Sequence, residues 1–188
     1  MVILLDNGHG CNTPGKRSPV WEDGTQLFEY EFNRDLVKRI IRGCGDSVRC
    51  VEIVPEIEDI SLAERCKRAN LCQRIHGDCL FISIHANAGG GTGFEIFTSK
   101  GTTGADFFAT ELIVQLENDF RDIRMRKDFS DGDPDKESDF YVLKHTTMPA
   151  LLAENLFMDN YKDCRRLLNP DFRQRLADSY VRFIKSIQ

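Results

Sequence analysis

A chain of 188 residues is long enough for one well-packed domain and short for two. Its hydrophobic share of 41% and charged share of 29% are ordinary for a globular protein in water. A net charge of −5 with both signs interspersed argues against a nucleic-acid partner, and apolar runs such as Cys79–Ile82 are too short for membrane insertion.

In chain order, the unbroken apolar run Val2–Leu5 predicts a buried strand. Gly8 to Gly24 reads as loop. Phe28, Phe32, Leu36, Val37, Ile40 and Ile41 recur at helical spacing, and Gly43 stops that helix. Cys50–Val54 is a second strand. Ser61 and Glu64 have the spacing of a capping box, opening a helix that runs to about Ile75 and ends at Gly77. Cys79–Ile84 is the most central strand, followed by a His85–Asn87 corner and the turn Gly89–Gly91. Gly93–Thr98 is another strand, and Asp106 to about Phe120 an amphipathic helix. Phe129–Ser138 is polar and acidic, a surface loop by composition. Leu151–Glu154 is a last buried strand, and two helices close the chain, the second capped by Asn169 with Pro170 in its first turn. Alternating strands and helices give a single α/β domain, its sheet largely parallel or mixed and covered on both faces.

Seven cysteines without a C-x-x-C pair fit neither a zinc ribbon nor a disulfide framework. Buried reduced thiols are expected, with Cys44 and Cys50 the one pair placed to bridge under oxidation. The N-terminus shows no basic, apolar and cleavage regions in succession. The expectation is therefore synthesis in the cytoplasm without a visible signal peptide, or a leader trimmed from this sequence.

Four patches carry the chemistry: Asp6–Gly10, Glu29 with Asn33, Ser83–Ala88, and Pro149–Asn155. In an open α/β sheet, ligands gather at the carboxyl ends of strands. His9 and His85 each follow a strand, Glu154 ends one, and Glu29 sits in the first helical turn near the same edge. His9, Glu29 and His85 make a zinc set of two imidazoles and one carboxylate that leaves a coordination position open. Such a site acidifies water and polarises a carbonyl, with Glu154 as general base and then acid to the leaving amine. Asn33, one turn beyond Glu29, is expected to orient that carboxylate, and Asn87 to lie in the outer shell or on the substrate side. Each residue alone has a plainer reading: a histidine in a glycine-rich loop is commonly a turn residue, and acids are favoured in first helical turns. His76 reads as a helix-end residue, His145 as a surface residue near the site. Trp21 and Phe28 border the loop after His9, with core packing the default for Phe28.

Taken together these residues resemble the zinc-dependent N-acetylmuramoyl-L-alanine amidases of the cell-wall hydrolase type 3 group. The resemblance rests on Asp6-Asn7-Gly8-His9-Gly10, on Glu29 and Asn33, on Ser83-Ile84-His85-Ala86-Asn87-Ala88, and on Leu143, Thr146, Pro149, Ala150 and Glu154. It spans nearly the whole chain in order. It implies a twisted, mostly parallel sheet of about six strands flanked by helices, Zn2+ on His9, Glu29 and His85, and Glu154 as catalytic carboxylate. It also implies the reaction, hydrolysis of the amide between the lactyl group of N-acetylmuramic acid and L-alanine in peptidoglycan. Asn7, Cys11 and Asn155-Leu156-Phe157 depart from the usual pattern and bear on loop shape rather than on the ligand set. Gly89–Gly91 leaves no room for the inhibitory helix that some relatives insert there.

Two rivals remain at this stage, a zinc peptidase cutting within the stem peptide and a cell-wall binding module with a vestigial site. The expected setting is the periplasm or cell wall, reached by phage-type release or by a trimmed leader. A monomer is expected, acting on peptidoglycan.

Overall fold

Side chains along the central strands point alternately into two cores, one on each face of the sheet, so the strands are buried nearly throughout. The computed structural model describes all of residues 1–188. Its strands are β1 (Val2–Asn7), β2 (Cys50–Glu52), β3 (Cys79–Asn87), β4 (Phe94–Thr98), β5 (Lys136–Glu137) and β6 (Ala150–Phe157). Its helices are α1 (Glu29–Cys44), α2 (Leu62–His76), α3 (Gly104–Asp119), α4 (Tyr141–His145), α5 (Tyr161–Leu168) and α6 (Pro170–Ser186). The six strands lie in the order β2-β1-β3-β6-β4-β5, all neighbours parallel except β4 and β6. No helix is long and apolar enough to cross a membrane.

Ile3, Leu5, Leu80, Ile82, Ile84, Leu151 and Ala153 point into the larger core, beneath apolar stripes of α1, α3 and α6. Leu4, Phe81, Ala150 and Leu152 point the other way, into a smaller core closed by Cys66 and Ala69 of α2 and Val142 and Leu143 of α4. Strands buried on both faces need the near-continuous apolar runs that the sequence shows. By the same period of two, Asp6, Ser83, His85 and Glu154 fall on the face of the smaller core, where each strand runs out of apolar residues.

The observed elements differ from the sequence expectations in instructive places. β1 continues through Asp6 and Asn7, which pair with Ser83 and Ile84, and β6 continues three residues past Glu154. β2 stops at Glu52, although the Ile53 N–H still donates to Leu5. The Ser61 capping box is only half formed: Ser61 Oγ accepts the Glu64 N–H, but the Glu64 carboxylate turns to Arg68 at 3.2 Å. The reciprocal box instead starts α3, between Thr103 and Asp106. Phe129–Ser138 is not wholly surface loop, because it contains β5 and the buried Asp135. A two-residue strand is too short to leave a periodic signal. Phe28 lies half-exposed just outside α1 rather than in the core. Cys44 and Cys50 are not bridged, and all seven cysteines are free thiols.

The chain beyond β6 is pinned by one buried acid. Asp163 of α5 is fully buried and accepts from the Gly93 N–H at 3.0 Å, the Phe157 N–H at 3.2 Å and Thr92 Oγ at 3.0 Å. It joins the start of β4 to the end of β6. Asp163→Ala strands two interior N–H donors at about 1–3 kcal/mol each and should lower unfolding free energy by about 2–4 kcal/mol, read from urea denaturation.

Candidate metal centre

Three donor side chains converge where β1, β3 and α1 meet. His9, Glu29 and His85 each place a ligand atom within 4.8 Å of the other two. Glu29 Oε1 lies 3.0 Å from His85 Nδ1 and 3.4 Å from His9 Nε2. The two imidazoles stand edge to face, with centroids 4.9 Å apart at 83°. Glu29 is buried, and its Oε2 is sealed from solvent without a hydrogen-bond partner. A buried carboxylate with one oxygen against two imidazoles and the other orphaned is a donor set in want of a cation. The residues fit a zinc ion held by two nitrogens and one carboxylate.

Local backbone makes this approach possible. His9 adopts a left-handed φ of 63°, which turns its ring off the end of β1. A side chain at Gly8 would meet the His85 ring at 2.1 Å, so only glycine lets the two histidines come together. The His9 loop is held from α1. Asn33 donates to the Gly8 carbonyl at 3.0 Å, and Arg34 to the His9 carbonyl at 2.7 Å and the Glu56 carbonyl at 2.6 Å. Asn33 therefore positions the loop carrying His9 and does not bond the Glu29 carboxylate.

The His85 ring has its tautomer set from behind. Ser83 Oγ gives its single proton to Asp6 Oδ2 at 2.6 Å, so at 3.1 Å it accepts from His85 Nε2–H. Nδ1 then faces Glu29 with its lone pair free for a metal. Asp6 is in turn bound by Arg65 Nη1 at 2.6 Å, and Arg65 also reaches Asp59 at 2.6 Å. Sequence reasoning missed Arg65 entirely. Its signal was a charge sharing the buried face of α2 with Cys66 and Ala69, the one large side chain there without an apolar character.

The charges follow from this geometry. Burial lowers His9 to about 4 against the pull of Glu29, leaving the ring neutral. Burial also acts to lower His85, but the Glu29 hydrogen bond and charge outweigh it and raise the ring above its usual value. Burial acts to raise Glu29, and the same pairing outweighs it and holds the carboxylate below its usual range. A divalent cation bound between His85 and Glu29 would compete with protons for the same two groups.

Glu154 is opposite His85 in the β3–β6 register and lines the same cavity of about 200 Å³, with His9, Lys16, Arg65, Phe140 and Tyr141. Its Oε2 is buried and unpartnered. Burial pushes the carboxyl up to about 7, with Glu29 adding to the shift and His85 opposing it. A larger cleft of about 660 Å³ lies between the start of α3 and α4. No imidazole lines it. Asn87 faces away, donating to Glu95 and capping Ala88 N–H with its carbonyl. His145 stacks on Tyr141 at 3.8 Å, and Trp21 packs against Tyr161 and donates to Cys164 Sγ.

A family model described as N-acetylmuramoyl-L-alanine amidase matches residues 3–186. The chain belongs to that family. The N-acetylmuramoyl-L-alanine amidase CwlM of Bacillus licheniformis is 38% identical over 185 residues, covering 95% of this chain and 65% of that protein. The sporulation-specific N-acetylmuramoyl-L-alanine amidase of Bacillus subtilis (strain 168) is 30% identical over 179 residues, again covering 95% and 65%. The chain thus spans 65% of the length of either curated relative. Among solved structures, the N-acetylmuramoyl-L-alanine amidase from Clostridium difficile 630 superposes with a TM-score of 0.82, at 24% identity, over 98% of this chain and 95% of that one. That likeness is one of fold.

The family's four sequence patches therefore converge here through a network the motifs do not reveal. Arg65→Met should test it. Removing the guanidinium leaves the Asp6 carboxylate buried without its counter-charge, for an expected loss of about 3–5 kcal/mol in a chemical-denaturation midpoint series. Asp59 is more exposed, so Asp59→Asn should lose far less.

Proposed function

We propose that the protein is a zinc-dependent N-acetylmuramoyl-L-alanine amidase, cleaving the amide between the lactyl group of N-acetylmuramic acid and the L-alanine of the stem peptide, and that it works in the cell wall. One observation carries the zinc assignment: two imidazoles converge on a buried, half-unpartnered carboxylate, and the cavity that the imidazoles line holds a second carboxylate with an unpartnered oxygen. Family membership and the named amidase relatives support the choice of substrate.

His9, Glu29 and His85 would hold the ion, and the whole chain would serve as the catalytic domain. When bound, zinc supplies Lewis acidity toward a carbonyl and a water molecule. The protein's own groups do the rest. Glu154 faces the cavity with one oxygen free to accept a proton from the attacking water. Water oxygen bonds to the carbonyl carbon, the C–N bond breaks, and Glu154 returns the proton to the departing amine. The products are a lactyl carboxylic acid and a stem peptide with a free L-alanine amine. Glu29 is buried and His85 only partly exposed, and the cavity that reaches His85 is walled by Phe140, Tyr141 and Lys16.

Mass spectrometry of products from purified peptidoglycan, with and without a chelator, tests the reading. The expected result is chelator-sensitive release of stem peptides bearing a free L-alanine amine, with the lactyl acid kept on the glycan. Cuts within the stem would make the enzyme a peptidase instead. Glu154→Ala should bind zinc at wild-type stoichiometry yet lose turnover by about 100-fold or more. Wild-type turnover in that variant would remove Glu154 from the mechanism.

A further inference from the structure

A second set of acids lies away from the imidazole site, where the acidic loop meets the start of α3. Asp106, Asp133 and Asp135 each bring a carboxylate oxygen within 4.8 Å of the other two. Neighbouring cations are engaged elsewhere: Lys136 with Glu95, Lys100 with Asp139 and Lys127 with Glu117. Asp135 is only 2% exposed. Its Oδ2 accepts from Thr98 Oγ at 2.7 Å, whereas its Oδ1 is sealed from solvent with no hydrogen-bond partner. Asp133 Oδ1 is buried and unpartnered in the same way. Asp106 is fixed in place because its two oxygens accept from Thr103 N–H at 2.7 Å and Thr103 Oγ at 2.9 Å.

Three carboxylates this close repel one another, and interior oxygens without donors are costly. A bound cation relieves both. We propose that Asp106, Asp133 and Asp135 form a binding site for a hard divalent cation of the calcium class. All-oxygen donors favour such an ion, and no imidazole or thiolate is present to favour a softer one. The ion would tie the acidic loop to the first turn of α3. Asp135 leads directly into β5, and five and six residues beyond Asp135 the chain reaches Phe140 and Tyr141, which line the imidazole cavity. Calcium would therefore stiffen one wall of that cavity without touching its ligands.

The test uses the zinc-loaded full chain, titrated with calcium chloride from micromolar to about 10 mM, a range that includes weak extracellular sites. Melting temperature should rise by about 5–10 °C once calcium exceeds its Kd about 100-fold, and proteolysis within residues 128–134 should slow. Calorimetry should find one calcium per chain in the wild type and none in Asp135→Asn. That variant removes a buried charge and should melt, without calcium, no lower than the wild type. A wild type with no calcium-dependent heat or melting shift overturns the proposal. So does an unchanged calcium response in Asp135→Asn, or stabilisation by acid alone, which would assign a shared proton to Asp133 and Asp135.

Discussion

His85 is held from both sides of the sheet, and the rest of the site depends on that double grip. On the smaller-core side its ring is bound by Ser83, then Asp6, then Arg65. On the other side its backbone carbonyl accepts from Asn155 Nδ2 at 3.0 Å, and Asn155 Oδ1 accepts from the buried Tyr180 hydroxyl at 2.8 Å. The ring and the backbone are thus fixed by separate polar chains rooted in α2 and α6. Each link is buried, and a buried polar chain orders a site only if every member is satisfied. Each of the two site carboxylates keeps an oxygen without a hydrogen-bond partner, Glu29 Oε2 and Glu154 Oε2, and Glu154 lines the cavity beside the two imidazoles.

The sheet order explains why residues so far apart in sequence meet. β3 is followed directly by β4, and a hairpin would place them side by side. Instead β6 inserts between them, pairing parallel with β3 and antiparallel with β4. That insertion puts Glu154 opposite His85 on one side and Glu95 on the other. It also disturbs the β3–β6 register between His85 and Asn87, and Leu156 takes a left-handed φ of 65°. The irregularity lies at the end of the site strands, a common place for bulges that re-aim side chains.

Much of this was legible in the sequence because the four patches sit at element ends, where side-chain periodicity fails to explain the residues present. The α/β class, the central position of β3 and the start of α6 at Asn169 and Pro170 all follow from period and capping. What escaped was pairing across sequence distance. Asn33 lies one turn from Glu29, and proximity on the helix suggested a partner; the amide instead spans 25 positions to Gly8. Arg65 looks like one more charge on a charged helix until Asp6, 59 positions away, is seen beneath it. The half-built box at Ser61 has the same origin, because Arg68 outcompetes a backbone N–H for Glu64.

Ligand chemistry keeps the two candidate ion sites from competing. The imidazole site offers two nitrogens and one oxygen in a tight, buried cage, a combination that rewards a borderline ion of tetrahedral preference. The Asp106, Asp133 and Asp135 cluster offers oxygen alone, with Asp106 in the first turn of α3 and the other two on the acidic loop. An ion of the first kind gains little from a site that offers carboxylate oxygens alone. One of the second kind would have to give up oxygen ligands for imidazole nitrogens. The selectivity therefore lies in donor type and coordination number and needs no difference in access. The two sites also occupy opposite ends of one short path through β5 to Tyr141, so ordering the acidic loop acts on the approach to the first site while leaving its ligand set unchanged.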